Sequence, residues 1–348
     1  MTDAIFVLTL GICLTMLLGW GFKSLPHEQW QIMATLPLRK EPSGTWVGVN
    51  ITYYGLLTAS AGLAAIVTFL MLMASIHASM SAALIAVGVV LACCLPASRL
   101  VARVVEGKQH TSTVAGAVFV GLLVAPLVVA AINALARPDA KTPMGATVAA
   151  MTVAYIMGEG LGRLACISFG CCYGKPITEV GHSARRLFEK FHFAFSGQTK
   201  KIAYASGLEG IKVVPIQALT STLYVIVGLI GMFLFLQSFY RTAYVVTIIV
   251  SQAWRVYSET LRADYRGDGE ISVYQKMAVG VMIYAVAILS IFPSSPDLKA
   301  DLTAGLTALW DPFVILVLQS IWAVIFFYTG WSMVTGSVLS FHVHRDRI

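Results

Sequence analysis

Charge is what this sequence has least of. Only 12% of its 348 residues are Asp, Glu, Lys or Arg, while 57% are hydrophobic and the mean hydropathy is +0.78. Ordinary soluble domains carry about 25% charged residues. A chain this poor in polar groups cannot cover itself in water, which excludes a soluble globular domain. Alternating apolar and polar residues are also missing, so the apolar runs read as helices rather than barrel strands. No Cys-x-x-Cys pair occurs among the six cysteines, leaving a zinc ribbon or thioredoxin-type centre unsupported. Met1-Thr2-Asp3 carries no basic residue and no small-x-small site follows Trp20. The first segment therefore reads as a retained helix, not a cleaved signal. Neither internal repeats nor paired broken helices occur, which argues against a transporter of the inverted-repeat kind.

Long apolar runs fill the rest. Residues 51–74, 81–102, 114–135, 144–168, 214–238 and 311–334 each exceed the roughly 18 residues that cross a bilayer core. Residues 4–20, 243–260 and 275–292 are shorter candidates. Small residues such as Ala59-Ser60-Ala61-Gly62 suit close helix packing in lipid. The expected fold is all-α: a polytopic integral membrane helical bundle of about nine transmembrane helices, with a small interfacial cap. Residues 169–213 form the longest interior loop, and Arg185 through Phe195 reads either as an amphipathic interfacial helix or as part of an ordered cap. Residues 21–50 and 293–310 read as linkers.

Nine spans put the loops on two faces. The face carrying residues 21–50, 103–113, 169–213, 261–274 and the C-terminus holds 20 of the 24 Lys and Arg and 12 of the 17 acids. The opposite face keeps Arg137, Lys141, Arg241 and Lys299. The positive-inside rule makes the basic face cytoplasmic; a face that handles anionic lipid head groups is the competing reading.

Charged side chains inside a span are costly and mark function by default. Arg163 lies in "YIMGEGLGRLACISFGCC", four residues after Glu159 on one helix face. Arg255, Glu259 and Arg262 form a row in "SQAWRVYSETLRADYRGDGE", and Arg99 and Arg103 end a third span. Taken singly, Arg163 and Arg255 read equally as paired structural residues and as ligand groups; for Arg99 and Arg103 the structural reading is the stronger. Guanidinium groups from separate helices converging on one interfacial cavity would clamp a phosphate. Cys13, Cys93 and Cys94 read as packing residues. A metal set of Cys166, Cys171, Cys172 and His182 ranks below packing, and no metal or cofactor is expected.

The order "YYGLL" (53–57), "ASRLVARV" (97–104), "GEGLGRLACISFGCCYGKP" (158–176), "VPIQALTS" (214–221) and "WRVYSETLRADYRG" (254–267) resembles the prolipoprotein diacylglyceryl transferase family of the bacterial inner membrane. The resemblance covers about residues 46–293. It sets off residues 1–45 as an additional N-terminal helix and linker, and 294–348 as a linker and additional C-terminal helix. It implies transfer of diacylglycerol from phosphatidylglycerol to an acceptor cysteine, with release of glycerol phosphate. It further implies catalytic roles for Arg163, Arg255 and Glu259. Substrate binding would fall to Tyr54, Arg99, Gly162, Gly170, Cys171, Cys172, Gly174 and Arg262. Cys166, Phe169 and Cys171 stand where the family has two asparagines and an acid. Val214-Pro215 replaces a His-Pro, Ser251 a tyrosine, and His110 is displaced from a His-Gly-Gly turn. The phosphate half of the site is thus retained and the acceptor half rebuilt. Glu159, Glu259 and His110 are candidate bases, and Cys171 or Cys172 a candidate transient lipid acceptor, though packing is the stronger reading for both thiols. The family's active face is periplasmic, against the charge tally. A non-catalytic anionic-lipid binding or transport protein using the same arginines is the alternative; a thiol redox protein is a weaker third.

Overall fold

The computed structural model describes residues 1–107, 113–135, 141–265, 271–291 and 298–348. His110 and Arg137, named above, lie outside the described residues. All nine apolar runs form helices: α1 (Thr2–Ser24), α2 (Tyr53–Ser75), α3 (Met80–Glu106), α4 (Val114–Leu135) and α5 (Met144–Phe169) come first. Two short helices follow, α6 (His182–Lys190) and α7 (Lys201–Ser206), then α8 (Ile216–Leu236), α9 (Tyr240–Glu259), α10 (Val273–Ile291), the short α11 (Leu302–Ala308) and α12 (Pro312–Gly330). Among the described residues, eight helices are long and apolar enough to cross a membrane. The ninth, α9, is long enough but carries Arg241, Arg255 and Glu259. The protein is a multi-pass helical membrane bundle.

Local chemistry sets the helix ends. The Asp311 carboxylate accepts from the backbone N–H groups of Phe313 (2.9 Å) and Val314 (3.2 Å), and Pro312 occupies the first turn. This satisfies donors that a helix start leaves orphaned. At the other end of α5, Gly170 takes φ 71 and closes the helix.

Helix α5 is the buried axis. It packs against α2, α8 and α9, and most of its residues, from Ala146 to Ser168, are buried. One apolar core, including Phe69, Met73, Val153, Phe235 and Tyr244, fills the bundle. A second joins Leu18 and Leu25 of the N-terminal segment to Leu164, Tyr173, Phe193, Phe195 and Val213. That second core decides the nature of the 169–213 loop. Phe193 and Phe195 lie in that core and Phe188 in a smaller cluster with Ile177 and Val214, so the segment packs as an ordered cap that includes the amphipathic nine-residue helix α6.

A three-stranded antiparallel sheet adds to the expected helices. Residues 21–50, read as a linker, contain β1 (Ile32–Lys40), which pairs with β2 (Trp46–Thr52) in a hairpin. The third strand, β3 (Trp331–Leu339), pairs with β2 from Trp46↔Leu339 to Ile51↔Trp331. Pro37, which cannot donate to a ladder, sits in the edge strand where the register shifts. The sheet is held down where α2 and α12 cross. A Cβ on Gly55 would lie 2.1 Å from Gly330 Cα, a backbone approach open only to glycine.

Candidate active site

Helix α5 presents Glu159 and Arg163 one turn apart, and α9 presents Arg255 opposite them. Arg255 Nη2 donates to both Glu159 oxygens at 2.7 Å, and Arg163 Nη2 donates to Glu159 Oε1. Side-chain exposure is 4% for Glu159, 13% for Arg163 and 10% for Arg255. Two arginines about ninety residues apart therefore share one buried carboxylate. Arg255 and Glu259, one turn apart on α9, both line the cavity, and Arg255 takes its carboxylate from across the bundle. Glu259 ends its helix and turns with the chain toward Arg262, 3.7 Å away. Arg262 in turn grips Asp264 with two hydrogen bonds, at 2.8 and 2.7 Å.

These groups line a cavity of about 350 Å³. Tyr54, Arg163, Cys171, Cys172, Arg255, Glu259 and Arg262, all singled out from sequence, share it, as do Cys166 and Phe169. The Tyr54 and Phe169 rings lie side by side, 5.5 Å between centroids. Arg99 is placed elsewhere. It is exposed on α3, its guanidinium reaching the Tyr328 hydroxyl of α12, so it does not join the other arginines around one head group. The glycines are also absent from the lining. Gly170 makes the left-handed turn after α5, and Gly174 lets a backbone approach, since a Cβ there would meet Val214 O at 2.4 Å. Gly162 faces Ala61 of α2.

Formal charge in the site is balanced. Arg163, Arg255, Arg262 and Lys201 face Glu106, Glu259 and Asp264, with Glu159 behind the arginines. Ligand attraction thus depends on directed donors rather than on surplus charge. Such donors are present: Arg163 Nε and Arg255 Nε are buried without a protein partner, as is the acceptor Gln217 Oε1. A buried unpaired donor costs about 1–3 kcal/mol; both Nε atoms are occluded in this conformation, so an oxygen in the cavity reaches them only after the guanidinium groups shift.

The last turn of α5 and the turn after it bring three thiols together. Cys171 N–H donates to Cys166 O at 3.0 Å, and Cys172 takes φ 57, a conformation non-glycine residues rarely adopt. Gln217 Nε2 holds Cys171 O at 2.9 Å. The Sγ atoms of Cys166, Cys171 and Cys172 all lie within 4.8 Å of one another. Hydrogen bonds from the Cys166 and Cys171 thiols, and then the Arg262 and Arg163 charges, hold Cys172 well below the usual thiol range against the opposing effect of burial. Hydrogen bonds with the Cys166 and Cys172 sulfurs, and then burial, push Cys171 up. His182, weighed with the cysteines as a metal ligand, opens α6 at the surface and is not in this group.

Three parts of the site escape the sequence reading. Gln217 is one. The cavity wall formed by Thr329 and Trp331–Val334 is another, because 294–348 had been set apart from the core. The third is the role of Glu159 as the junction of both arginines; its position between two glycines at membrane depth was the available signal.

The family model described as prolipoprotein diacylglyceryl transferase matches residues 44–291 of the chain. No curated protein matches it.

Proposed function

From the premise that this chain belongs to the prolipoprotein diacylglyceryl transferase family, we propose that its cavity binds the head group of a phosphatidylglycerol-like donor and transfers the diacylglyceryl group to an acceptor nucleophile. The observation that carries the proposal is the pair of guanidinium groups, Arg163 and Arg255, from two helices, fixed by one carboxylate on a shared cavity. Each keeps an unpartnered Nε–H. A volume of about 350 Å³ suits a glycerophosphate head group, with the acyl chains left to the lipid phase.

The reaction is a displacement at the glycerol carbon bearing the phosphate. The nucleophile forms a bond to that carbon, the C–O bond breaks, and glycerol phosphate departs with the electron pair. Charge grows on the leaving phosphate, and donors already aimed at it stabilise the transition state. Glu159 has its lone pairs committed to the arginines and positions them. Glu259 lines the cavity and is the carboxylate placed to take the nucleophile's proton. Tyr54 supplies an aromatic wall, and Arg262, braced by Asp264, borders the head group. The basic loops and the cap meet at this end of the bundle, which in the proposed orientation is the periplasmic side of a bacterial inner membrane. Its positive charge then reflects anionic lipid rather than a cytoplasmic location.

Purified protein in mixed micelles with labelled phosphatidylglycerol and a cysteine-bearing acceptor peptide releases glycerol phosphate on this reading. Arg163→Ala and Arg255→Ala each lower the rate by about 100-fold or more, the scale for loss of one transition-state donor. Lipid binding without release would replace the enzyme by an anionic-lipid binding protein.

A further inference from the structure

The three thiols beside Arg163 have no task in the transfer just described, yet the chain is shaped to gather them. Cys166 sits one turn after Arg163 on α5, so both face the same way. The left-handed residue Gly170 folds the chain back, and Cys172 accepts a φ of 57, a conformation unfavourable for a residue with a side chain. Gln217 pins the returning strand through Cys171 O. The outcome is a triangle of sulfurs, each within 4.8 Å of the others, with Cys166 and Cys171 buried and Cys172 partly open to the cavity.

We propose that Cys166, Cys171 and Cys172 form a three-thiolate zinc site whose fourth position opens on the cavity and takes the acceptor's thiolate. The proposal rests on the transferase reading and names its acceptor as a thiol. Sulfurs bound to one zinc at about 2.3 Å lie about 3.8 Å apart, so side-chain shifts of an ångström or less close this triangle on an ion. Three sulfur ligands select a soft or borderline metal over magnesium or calcium, and the nearby Asp264 carboxylate is held by Arg262 in two hydrogen bonds. Three thiolates and a divalent zinc sum to one negative charge, set among Arg163, Arg262 and Lys201 in the same wall. A site with three protein ligands and one free position is the arrangement of a reactive zinc, not of a closed structural one.

Chemistry follows from the fourth position. The acceptor thiol binds zinc and gives its proton to the Glu259 carboxylate. The zinc-held sulfur attacks the glycerol carbon, the S–C bond forms, the C–O bond breaks, and glycerol phosphate leaves between Arg163 and Arg255. No redox change occurs. The thiol triangle thus supplies acceptor activation where the expected asparagine, acid and histidine are absent.

The test begins with metal content of the full-length protein, purified with zinc and without chelating resin. About one zinc per chain is expected in wild type. Cys166→Ser, Cys171→Ser and Cys172→Ser, each checked for folding by gel filtration, lose it by about tenfold. Cobalt is then substituted for zinc, and a cysteine peptide is added. The sulfur-to-cobalt absorption rises by about a third as a fourth sulfur joins three, while the serine counterpart of the peptide leaves it unchanged. Equal zinc in wild type and a triple serine variant overturns the proposal. So does a wild type that retains none, a disulfide linking two of the three cysteines, or no spectral response to the peptide. Glycerol phosphate release that survives complete zinc removal also sinks the zinc site and spares the transferase reading. Stoichiometric zinc without arginine-dependent release does the reverse.

Discussion

Removing the charge of Glu159 without changing its shape tests the centre of the site. In Glu159→Gln, Arg163 and Arg255 keep their places but lose their shared counter-ion. Both Nη2 groups touch the same carboxylate oxygen, so the guanidinium charges lie roughly 5.5 Å apart and at an effective dielectric of 20 repel by about 3 kcal/mol. Breaking a buried ion pair from one side costs about 3–5 kcal/mol in general, and the low exposure of all three side chains leaves little solvent screening. The variant should lose several degrees of Tm in zwitterionic detergent. An anionic head group then substitutes for the missing carboxylate, so phosphatidylglycerol should raise the Tm of the variant by more than it raises that of wild type. Phosphatidylcholine should not. Differential scanning fluorimetry with the two lipids reads both effects. A variant as stable as wild type, or one that gains no more from phosphatidylglycerol than wild type does, would refute the reasoning that these arginines face an anion site.

Gly55→Ala forces a Cβ against the Gly330 backbone at 2.1 Å, which neither helix can absorb by turning a side chain. Overpacking of about 1–3 kcal/mol follows, and α12 with β3 shifts; lower Tm and slower glycerol phosphate release check it, and an unaltered enzyme refutes the close crossing. Lys200 is buried with its ammonium donating to Ser168 O at 2.7 Å and Leu25 O at 3.1 Å. Burial, partly opposed by Glu28, pushes its pKa down from 10.5 to about 8. Between those values the folded chain holds fewer protons than the unfolded one, so stability rises with pH. Wild type should therefore gain on Lys200→Met as pH climbs from about 8 to 10.5 in chemical denaturation, and a flat difference would contradict the burial argument.

Hydropathy alone made the bundle legible, because a run of twenty apolar residues has few alternatives to a helix in lipid. The sheet was not legible for the opposite reason. β1 is mostly exposed and carries no alternating apolar pattern, and the second partner of β2 lies far along the chain, so no local pattern announces the sheet. At the site, the i, i+4 relation of Glu159 and Arg163 could be read directly from helix geometry. The same rule placed Arg255 and Glu259 on one face, and both line the cavity, but spacing along one helix says nothing about the carboxylate that Arg255 meets on the neighbouring helix. The thiols were visible as "CISFGCC", but their convergence depends on a left-handed turn at Gly170 and a positive φ at Cys172. Those conformations are settled by tertiary packing, not by residue type.

The pairing of Ile51 with Trp331 spans 280 positions, and everything between them is the membrane bundle. A ribosome that has inserted eight or nine helices has still not delivered the last side of the reaction chamber, since Trp331–Val334 emerge only afterwards. The closure joins segments that the crossing of α2 and α12 already holds close, so it adds little loop entropy even across this distance. During biosynthesis the cavity lacks this wall until the last strand arrives.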